Sequence, residues 1–335
     1  MSARTRIFAE FLAPELLGDD ATLRLLERRG IEPVIAVPPE AETPALGSAI
    51  QRLGARGIPI GLWPLMSDRE GYWLNVENAA QFQERAEAAL AFFQRHQVWP
   101  SSFVFDLEPP LLHTQKLFGR GKREGLRYLL GSALTRQGRR DLGQARQALD
   151  RLGLSLRDRG VETLATILPP LLFDLDQATP FTQAMLHTPV ERQAVDRLCP
   201  MAYTTMIAPM LGLGRPAAQR LVYLMGRALI AEVGRRQAAL ALGLVGPGKL
   251  GDEPHYEGPE ALAEDVAAAR ASGIGDLSVF SLEGILAKPH PEVWLDALRA
   301  EPKTPPPHLR LDAAMAGLKS AAGLLSSVYR LTTSS

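Results

Sequence analysis

Eight short apolar runs, separated by segments of helical spacing, are the feature of this sequence that most limits its fold. The runs predicted as strands are residues 6–11, 33–37, 58–63, 103–108, 163–168, 197–203, 239–245 and 277–282. The segments predicted as helices are residues 20–29, 78–97, 141–157, 191–197, 216–233, 259–271 and 291–300. Strands that alternate with helices form parallel sheets, and continuously apolar strands are covered on both faces. Eight such units predict a (β/α)8 barrel, that is, a TIM barrel.

A doubly wound open sheet is the alternative fold. Its dinucleotide-binding form needs a G-x-G-x-x-G pattern after the first strand, and none follows residues 6–11. We therefore expect residues 1–300 to form the barrel, with a helical insert at 111–140 after the fourth strand. Residues 301–335 are predicted to be a proline-rich linker followed by a helix. The apolar side of that helix consists of Ala314, Leu318, Ala321, Leu325 and Tyr329. This side would pack on the barrel or on a second copy of the chain.

The charge balance restricts the partners. The 37 basic and 37 acidic residues give a net charge of zero, which argues against nucleic acid or an anionic membrane as the main partner. Residues 116–159 are locally basic, with twelve basic residues against four acids. We interpret this stretch as a solvated helical face rather than as a site for an anionic partner.

The compartment and the metal content are also limited by the residues present. The single cysteine, Cys199, rules out a disulfide framework and is predicted to be a buried structural thiol. The first residues have no signal-peptide pattern, and no run of about 18 apolar residues occurs, so we expect a cytoplasmic chain without a membrane span. The six histidines include no pair at i, i+4, and no metal or cofactor is predicted.

Two acids at the end of the fourth predicted strand are the first candidates for chemistry. Asp106 and Glu108 lie two residues apart, so their side chains point to the same face, and Pro109 then ends the strand. In a (β/α)8 barrel the chemistry takes place at this end of the strands. A neighbouring carboxylate raises the pKa of a carboxylic acid, as a proton donor to a glycosidic oxygen requires. The pair therefore indicates glycosidic-bond chemistry.

Other predicted strand ends supply acids and aromatic rings, which suit a sugar because carboxylates bind hydroxyl groups and rings stack on pyranoses. The predicted substrate-binding residues are Glu10, Trp63, Tyr72, Trp73, Met201, Ser281 and Glu283.

Asp106-Leu107-Glu108 and Met201-Ala202-Tyr203 together resemble the family 18 glycoside hydrolases, the chitinase-like barrels. Those enzymes have a D-x-x-D-x-D-x-E motif on strand four and an M-x-Y motif on strand six. The resemblance implies that Glu108 is the general acid/base. It also implies that Asp106 orients the 2-acetamido group of the substrate as this group attacks the anomeric carbon. Tyr203 would hydrogen-bond the acetamido oxygen.

This sequence departs from the family pattern at three places. Ser101 and Val104 stand where the motif has its first two aspartates, and Val104 cannot hydrogen-bond Asp106 from below. The end of the predicted eighth strand reads Val279-Phe280-Ser281-Leu282-Glu283, without the tryptophan that forms the floor of the sugar subsite in that family.

Three alternatives remain open. A barrel with this motif could bind glycans without cleaving them. It could instead be a phosphosugar lyase or isomerase that uses Lys249 and the glycine-rich loop at 246–251, because loops after strand seven often bind phosphate in this fold. Asp106 and Glu108 could also serve only to cap a helix or to pair with arginines of the basic stretch.

Overall fold

The computed structural model describes residues 4–111, 136–177, 179–190 and 192–317, and the single positions 114, 320, 323 and 327. Eight parallel strands close into a barrel in chain order, with β1 hydrogen-bonded to both β2 and β8. The strands are β1 (Arg4–Ala9), β2 (Ile31–Val37), β3 (Gly61–Pro64), β4 (Ser102–Leu107), β5 (Glu162–Ile167), β6 (Arg197–Ala202), β7 (Leu240–Gly243) and β8 (Asp276–Phe280). The predicted (β/α)8 barrel is confirmed, and the open sheet is excluded because β1 and β8 are paired.

Helices cover the outer face of the barrel. They are α1 (Pro14–Leu17), α2 (Asp20–Arg29), α3 (Pro44–Ala55), α4 (Ala79–Arg95), α5 (Arg136–Asp158), α6 (Leu172–Gln177), α7 (Phe181–Leu186), α8 (Thr204–Leu211), α9 (Arg215–Gln237), α10 (Pro259–Ala271), α11 (Leu282–Leu286) and α12 (Pro291–Ala297). Helix α2 begins and ends as its sequence predicts. The Asp19 carboxylate accepts a hydrogen bond from Ala21 N at 2.8 Å, and Gly30 ends the helix with a left-handed φ of 61°.

The helix predicted at 191–197 is wrong. A single 3-10 turn, Arg192–Ala194, occupies this stretch, and Arg197 already belongs to β6. The reason is the pairing of Asp196 with the neighbouring strand. Its backbone N–H donates to the Thr163 carbonyl, and its carboxylate accepts from Thr163 N at 2.9 Å. Both bonds hold Asp196 against β5, so the chain cannot continue as a helix.

Side chains alternate between the outer core and the barrel interior, as strand geometry requires. On β4, Phe103 and Phe105 pack outward against the helices, whereas Val104 belongs to the interior cluster. Asp106 and Glu108 share the parity of Val104 and so extend the inward-facing row toward the C-terminal mouth. Cys199 is fully buried in the same interior cluster, as predicted, and burial raises the pKa of its thiol.

The N-terminal end of the barrel is closed by ion pairs. Arg6 is fully buried, and it pairs with Glu32 at 3.2 Å, with Glu162 at 2.8 Å and with Asp276. The hydroxyl of Ser101 donates to Glu32 at 2.8 Å. Ser101 therefore belongs to this lower network and lies away from the mouth, so it takes no part in supporting Asp106.

The two predicted additions are described only in part. Most of the 111–140 insert lies outside the described residues. In the described part of the basic stretch, Arg157 pairs with Asp196 at 3.5 Å and Arg159 pairs with Glu87 at 2.8 Å. Both ion pairs agree with a charged helical surface balanced by acids on neighbouring elements.

Near the C-terminus, residues 309–317 are helical. Leu311 is buried, and Asp312 pairs with Arg220 of α9 at 3.1 Å. Of the predicted apolar side, Ala314 is described and is exposed. The other members, Leu318, Ala321, Leu325 and Tyr329, lie outside the described residues, so the packing of this side on the barrel or on a second copy stays a prediction. Within the described part of the chain, no helix is long and apolar enough to cross a membrane.

Candidate active site

Asp106 lies at the mouth of the barrel and is held by the neighbouring strand β5. The β4–β5 register places it beside Thr166, whose hydroxyl donates to Asp106 Oδ1 at 2.5 Å. The buried indole of Trp63 lies near enough to lower the pKa of this carboxyl, but its nitrogen has no partner in hydrogen-bond geometry among the described residues. Burial outweighs both contacts and raises the pKa of Asp106 to about 7.

Glu108 follows the last residue of β4 and has a different environment. Burial, and then the charges of Asp106, Glu10 and Glu253, raise its pKa well above the ordinary value. No other described residue forms a hydrogen bond with its carboxyl group that could offset these effects. The raised pKa of Glu108 favours its protonated form, which is the form that a proton donor to a substrate needs.

Glu10 and Tyr72 form a second polar pair beside the first. The Tyr72 hydroxyl donates to Glu10 Oε1 at 2.5 Å. Burial raises the pKa of Glu10 to about 8, the Tyr72 hydrogen bond opposes this, and the charges of Asp106 and Glu283 add to it. The site thus brings Glu10, at the end of β1, into electrostatic contact with Asp106 and Glu108 at the end of β4.

Tyr203 lies immediately after β6 and faces the same acids. Burial raises the pKa of its hydroxyl, and so do the charges of Asp106 and Glu108. Its ring lies over Gly243 of β7, where a Cβ atom would stand 3.0 Å from a ring carbon. Gly243 therefore leaves the space that the Tyr203 ring needs. Met201, two residues earlier, is buried in the wall of the barrel.

The glycine-rich loop after β7 is held by an acid that the sequence analysis missed. The Glu253 carboxylate accepts hydrogen bonds from Gly248 N at 3.2 Å and Leu250 N at 3.0 Å. The charge of Glu253 also raises the pKa of Glu108. An acid a few residues beyond a glycine-rich loop was the available signal, because such loops present backbone N–H groups to anions.

Lys249 extends from this loop across the mouth. Its ammonium lies 2.7 Å from Asp68 Oδ1 and 4.0 Å from the centre of the Tyr72 ring. Asp68 follows β3, and β3 and β7 lie on opposite sides of an eight-stranded barrel. The side chain of Lys249 therefore connects loops that face each other over the acids.

Glu283 and Ser281 support the backbone around β1 and β8. Glu283 Oε1 accepts from the backbone N–H groups of Glu10 and Phe11, both at 3.3 Å. Its other oxygen is buried and has no partner among the described residues, and burial raises the pKa of the group. Ser281 is fully buried, and its hydroxyl accepts from Gly284 N at the start of α11.

The three predicted aromatic platforms line the mouth as a packed wall. Trp63, Tyr72 and Trp73 are each less than 10 % exposed. Trp63 packs edge-to-face on Phe8 with ring centres 5.1 Å apart, and Tyr72 packs edge-to-face on Trp73 at 5.2 Å. These rings consequently hold the polar pairs in place and offer little open surface for stacking.

The structure thus brings Glu10, Asp106, Glu108 and Tyr203 into one electrostatic unit, and Glu253 joins them from the β7 loop. No arginine pairs with Asp106 or Glu108 within the described ranges. The same ranges contain no group of three or more His, Cys, Asp or Glu side chains arranged to hold a metal ion. A cluster of buried and half-buried carboxyl groups with raised pKa values can transfer protons and bind sugar hydroxyls.

No protein-family model matches this chain, and no curated protein matches it in sequence. Solved structures with a similar fold include the PgaB (BpsB) glycoside hydrolase domain of Bordetella bronchiseptica, with a TM-score of 0.54 and 12 % identity over 91 % of this chain and 100 % of that chain. A chitinase from Chromobacterium violaceum has a TM-score of 0.51 and 15 % identity, over 89 % of this chain and 98 % of that chain. The Ostrinia furnacalis Group IV chitinase in complex with allosamidin has a TM-score of 0.51 and 11 % identity, with the same two coverages. The predicted resemblance to chitinase-like barrels is confirmed at the level of the fold.

Proposed function

We propose that this chain is a glycoside hydrolase that acts on a glycan containing N-acetylated sugars. The observation that carries the proposal is the acid pair at the end of β4. Glu108 has a pKa raised well above its ordinary value, and it lies beside an Asp106 that a neighbouring strand holds in place. The chitinases and glycoside hydrolase domain that share the fold support the same class of reaction.

Glu108 is the general acid/base in this proposal. Its raised pKa keeps the carboxyl protonated until the glycosidic oxygen leaves, and the proton then passes to that oxygen as its bond to the anomeric carbon breaks. The acetamido oxygen of the same sugar forms the new bond to the anomeric carbon, so no nucleophile from the protein is needed. The new bond closes a ring that contains the acetamido oxygen. In the second step water attacks the anomeric carbon, the bond from that carbon to the acetamido oxygen breaks, and the Glu108 carboxylate takes a proton from the attacking water.

Asp106 and Tyr203 act on the acetamido group. An ionised Asp106 stabilises the positive charge that develops when the acetamido oxygen attacks, and its pKa of about 7 permits ionisation near neutrality. The Tyr203 hydroxyl donates to the acetamido oxygen and orients it. Thr166 provides the hydrogen bond that Val104 cannot supply from below.

The remaining predicted binding residues have supporting roles in the proposal. Glu10 and Tyr72 lie close to the acids and are the ones placed to meet sugar hydroxyls. We assign Trp63, Trp73, Met201, Ser281 and Glu283 to the walls and loops that surround the glycan. Residues 1–300 form the catalytic barrel, and residues 301–335 are an addition to it.

Hydrolysis of a panel of fluorogenic glycosides, N-acetylglucosaminides included, tests the proposal. We expect Glu108→Gln to lower the rate by about 10²–10⁴-fold, the usual contribution of a general acid. Glutamine has nearly the shape of the protonated carboxyl, so the thermal unfolding of this variant should stay close to that of the original protein. Glu84→Gln on the exposed surface of α4 is the matched control and should be fully active.

Equal activity in Glu108→Gln and the original protein would refute the assignment of the acid. If neither protein hydrolyses any glycoside but both bind chito-oligosaccharides, the chain is a glycan-binding barrel. The specific observation favouring that second function is the apolar side chain of Val104 beneath the acid pair. The phosphosugar alternative is disfavoured because the Glu253 carboxylate already takes the loop N–H groups that a phosphate would need.

A further inference from the structure

A buried carboxylate outside the acid pair has no part in the reaction proposed above. Asp265 lies on α10, the helix that follows β7, and is fully buried. Its Oδ2 accepts hydrogen bonds from the hydroxyls of Thr204 and of Tyr256, the latter at 2.8 Å. Its Oδ1 lies 3.1 Å from an Arg215 nitrogen. A carboxylate without water is stable only with such partners, so these contacts hold the surrounding segments in one arrangement.

The donors to Asp265 come from the segments that surround Tyr203. Thr204 is the next residue in the chain and begins α8, and Arg215 begins α9. Tyr256 lies in the loop beyond β7, and its backbone N–H donates to the Leu244 carbonyl at 2.9 Å. Asp265 thereby links the segment that leaves β6 to the segment that leaves β7.

A second set of bonds fixes the other side of the same turn. The Thr205 hydroxyl donates to the Gly243 carbonyl at 3.1 Å and accepts from Leu244 N at 2.9 Å. The Tyr203 ring lies on Gly243. The two residues after Tyr203 are thus each held by a hydroxyl, one through Asp265 and the other through the backbone after β7.

We infer that Asp265, acting through Thr204, is the positioning residue that sets the orientation of Tyr203 at the mouth of the barrel. The inference rests on the proposed function, in which the Tyr203 hydroxyl meets the acetamido group. Asp265 lies on the outer helix layer and touches no substrate. Its effect reaches the site through the turn between β6 and α8.

A spectroscopic experiment tests this without relying on turnover. The protein is labelled with 3-fluorotyrosine, and the Tyr203 resonance among the six tyrosines is assigned by its loss in Tyr203→Phe. Thr204→Val removes the hydroxyl at nearly constant shape and should shift or broaden the Tyr203 resonance, whereas Thr204→Ser should restore it. Thr188→Val removes another fully buried hydroxyl, which bonds the Leu186 carbonyl, and should leave the resonance unchanged.

Kinetics then separate positioning from general stability. Thr204→Val should lower kcat/KM on N-acetylglucosaminides by about tenfold, mostly in kcat, and this loss should vanish when Tyr203 is already phenylalanine. If Thr204→Val does not fold, Tyr256→Phe removes the other hydroxyl from Asp265 and should give the same resonance change.

An unchanged Tyr203 resonance in folded Thr204→Val or Tyr256→Phe would overturn the inference. A tenfold loss that persists in the Tyr203→Phe background would also overturn it, since the effect would then not pass through Tyr203. Absence of hydrolysis in the original protein would refute the proposed function alone, because the resonance test does not depend on it.

Discussion

Removing the Thr166 hydroxyl tests what sets the pKa of Asp106 in a chain that has Val104, and not an aspartate, beneath it. In Thr166→Val the shape of the side chain is kept, but the 2.5 Å hydrogen bond to Asp106 Oδ1 is lost. Both residues are at most 5 % exposed, so water cannot readily replace the hydroxyl. The bond lowers the pKa of Asp106, and its loss should therefore raise that pKa above about 7.

The size of the effect follows from the type of bond. A hydrogen bond to a charged group contributes about 1.5–3 kcal/mol, and about 1.4 kcal/mol is a factor of ten in an equilibrium constant. The hydroxyl can also bond the protonated carboxyl, which reduces the difference between the two forms. We therefore expect the ionisation constant of Asp106 to fall by roughly tenfold, at the lower end of that range.

The pH dependence of glycoside hydrolysis measures this change. If ionised Asp106 stabilises the developing positive charge, its titration forms the acid limb of the profile, which should move to higher pH in Thr166→Val. Thr166→Ser keeps the hydroxyl and should restore the original limb. The acids titrate as a unit, so the limb reports an apparent pKa of the group. A folded Thr166→Val whose acid limb coincides with that of Thr166→Ser would refute the reasoning.

Three further predictions follow from the described contacts. Arg6→Met should lower the free energy of unfolding, measured in urea, by about 3–5 kcal/mol, because it leaves buried carboxylates without their partner. Arg56→Met, at a more exposed ion pair, is the control and should lower it by at most about 1 kcal/mol. Equal losses in the two variants would contradict this. The fold raises the pKa of Glu10 from 4.5 to about 8, so folding favours the protonated form and the free energy of unfolding should decrease as the pH rises through that interval. Glu10→Gln should therefore flatten the dependence of Tm on pH. An unchanged slope would exclude Glu10 as the source of this dependence. Gly243→Ala would place a Cβ 3.0 Å from the Tyr203 ring and should lower kcat by displacing it; unchanged steady-state kinetics would show that the ring has room to move.

The barrel could be predicted because each of its strands contains a short apolar run that is buried in the structure, and these runs alternate along the chain with segments of helical spacing. The helix α3 was missed even though Thr43 and Pro44 mark its start, and Leu46, Ile50 and Leu53 form its buried side. Its many small residues weakened the periodic pattern. The helix predicted at 191–197 was wrong for another reason. The pairing of Asp196 with Thr163 of β5 prevents a helix there, and this pairing depends on a residue far away in the sequence.

The sequence predicts a residue of the candidate site only where the position of that residue within its own strand is sufficient to place it. Asp106 and Glu108 follow from strand parity, and Tyr203 follows from its place after β6. Thr166 and Glu253 could not be found in this way, because their importance comes from register and loop closure. Thr166 matters because it lies opposite Asp106 on the next strand, and a sequence does not reveal that register.

The contact between Lys249 and Asp68 affects the access of other molecules to the mouth of the barrel. The pair joins loops from opposite sides of the barrel, and the Asp68 side chain is 62 % exposed. An exposed ion pair contributes at most about 1 kcal/mol, and the contact of the ammonium with the Tyr72 ring adds about as much again. Breaking both contacts then costs at most about 2 kcal/mol. Molecules in which Lys249 has left Asp68 are therefore at most roughly thirtyfold rarer than those in which the contact is formed.

A contact this weak hinders the entry of a wide molecule to the acids without blocking it. Salt weakens it further, because one of its partners faces the solvent. A long polymer would have to pass beneath the Lys249 side chain or displace it, whereas a short fragment could diffuse in from either side. If the chain acts on a glycan as proposed, the length of glycan that the barrel admits should therefore increase with ionic strength.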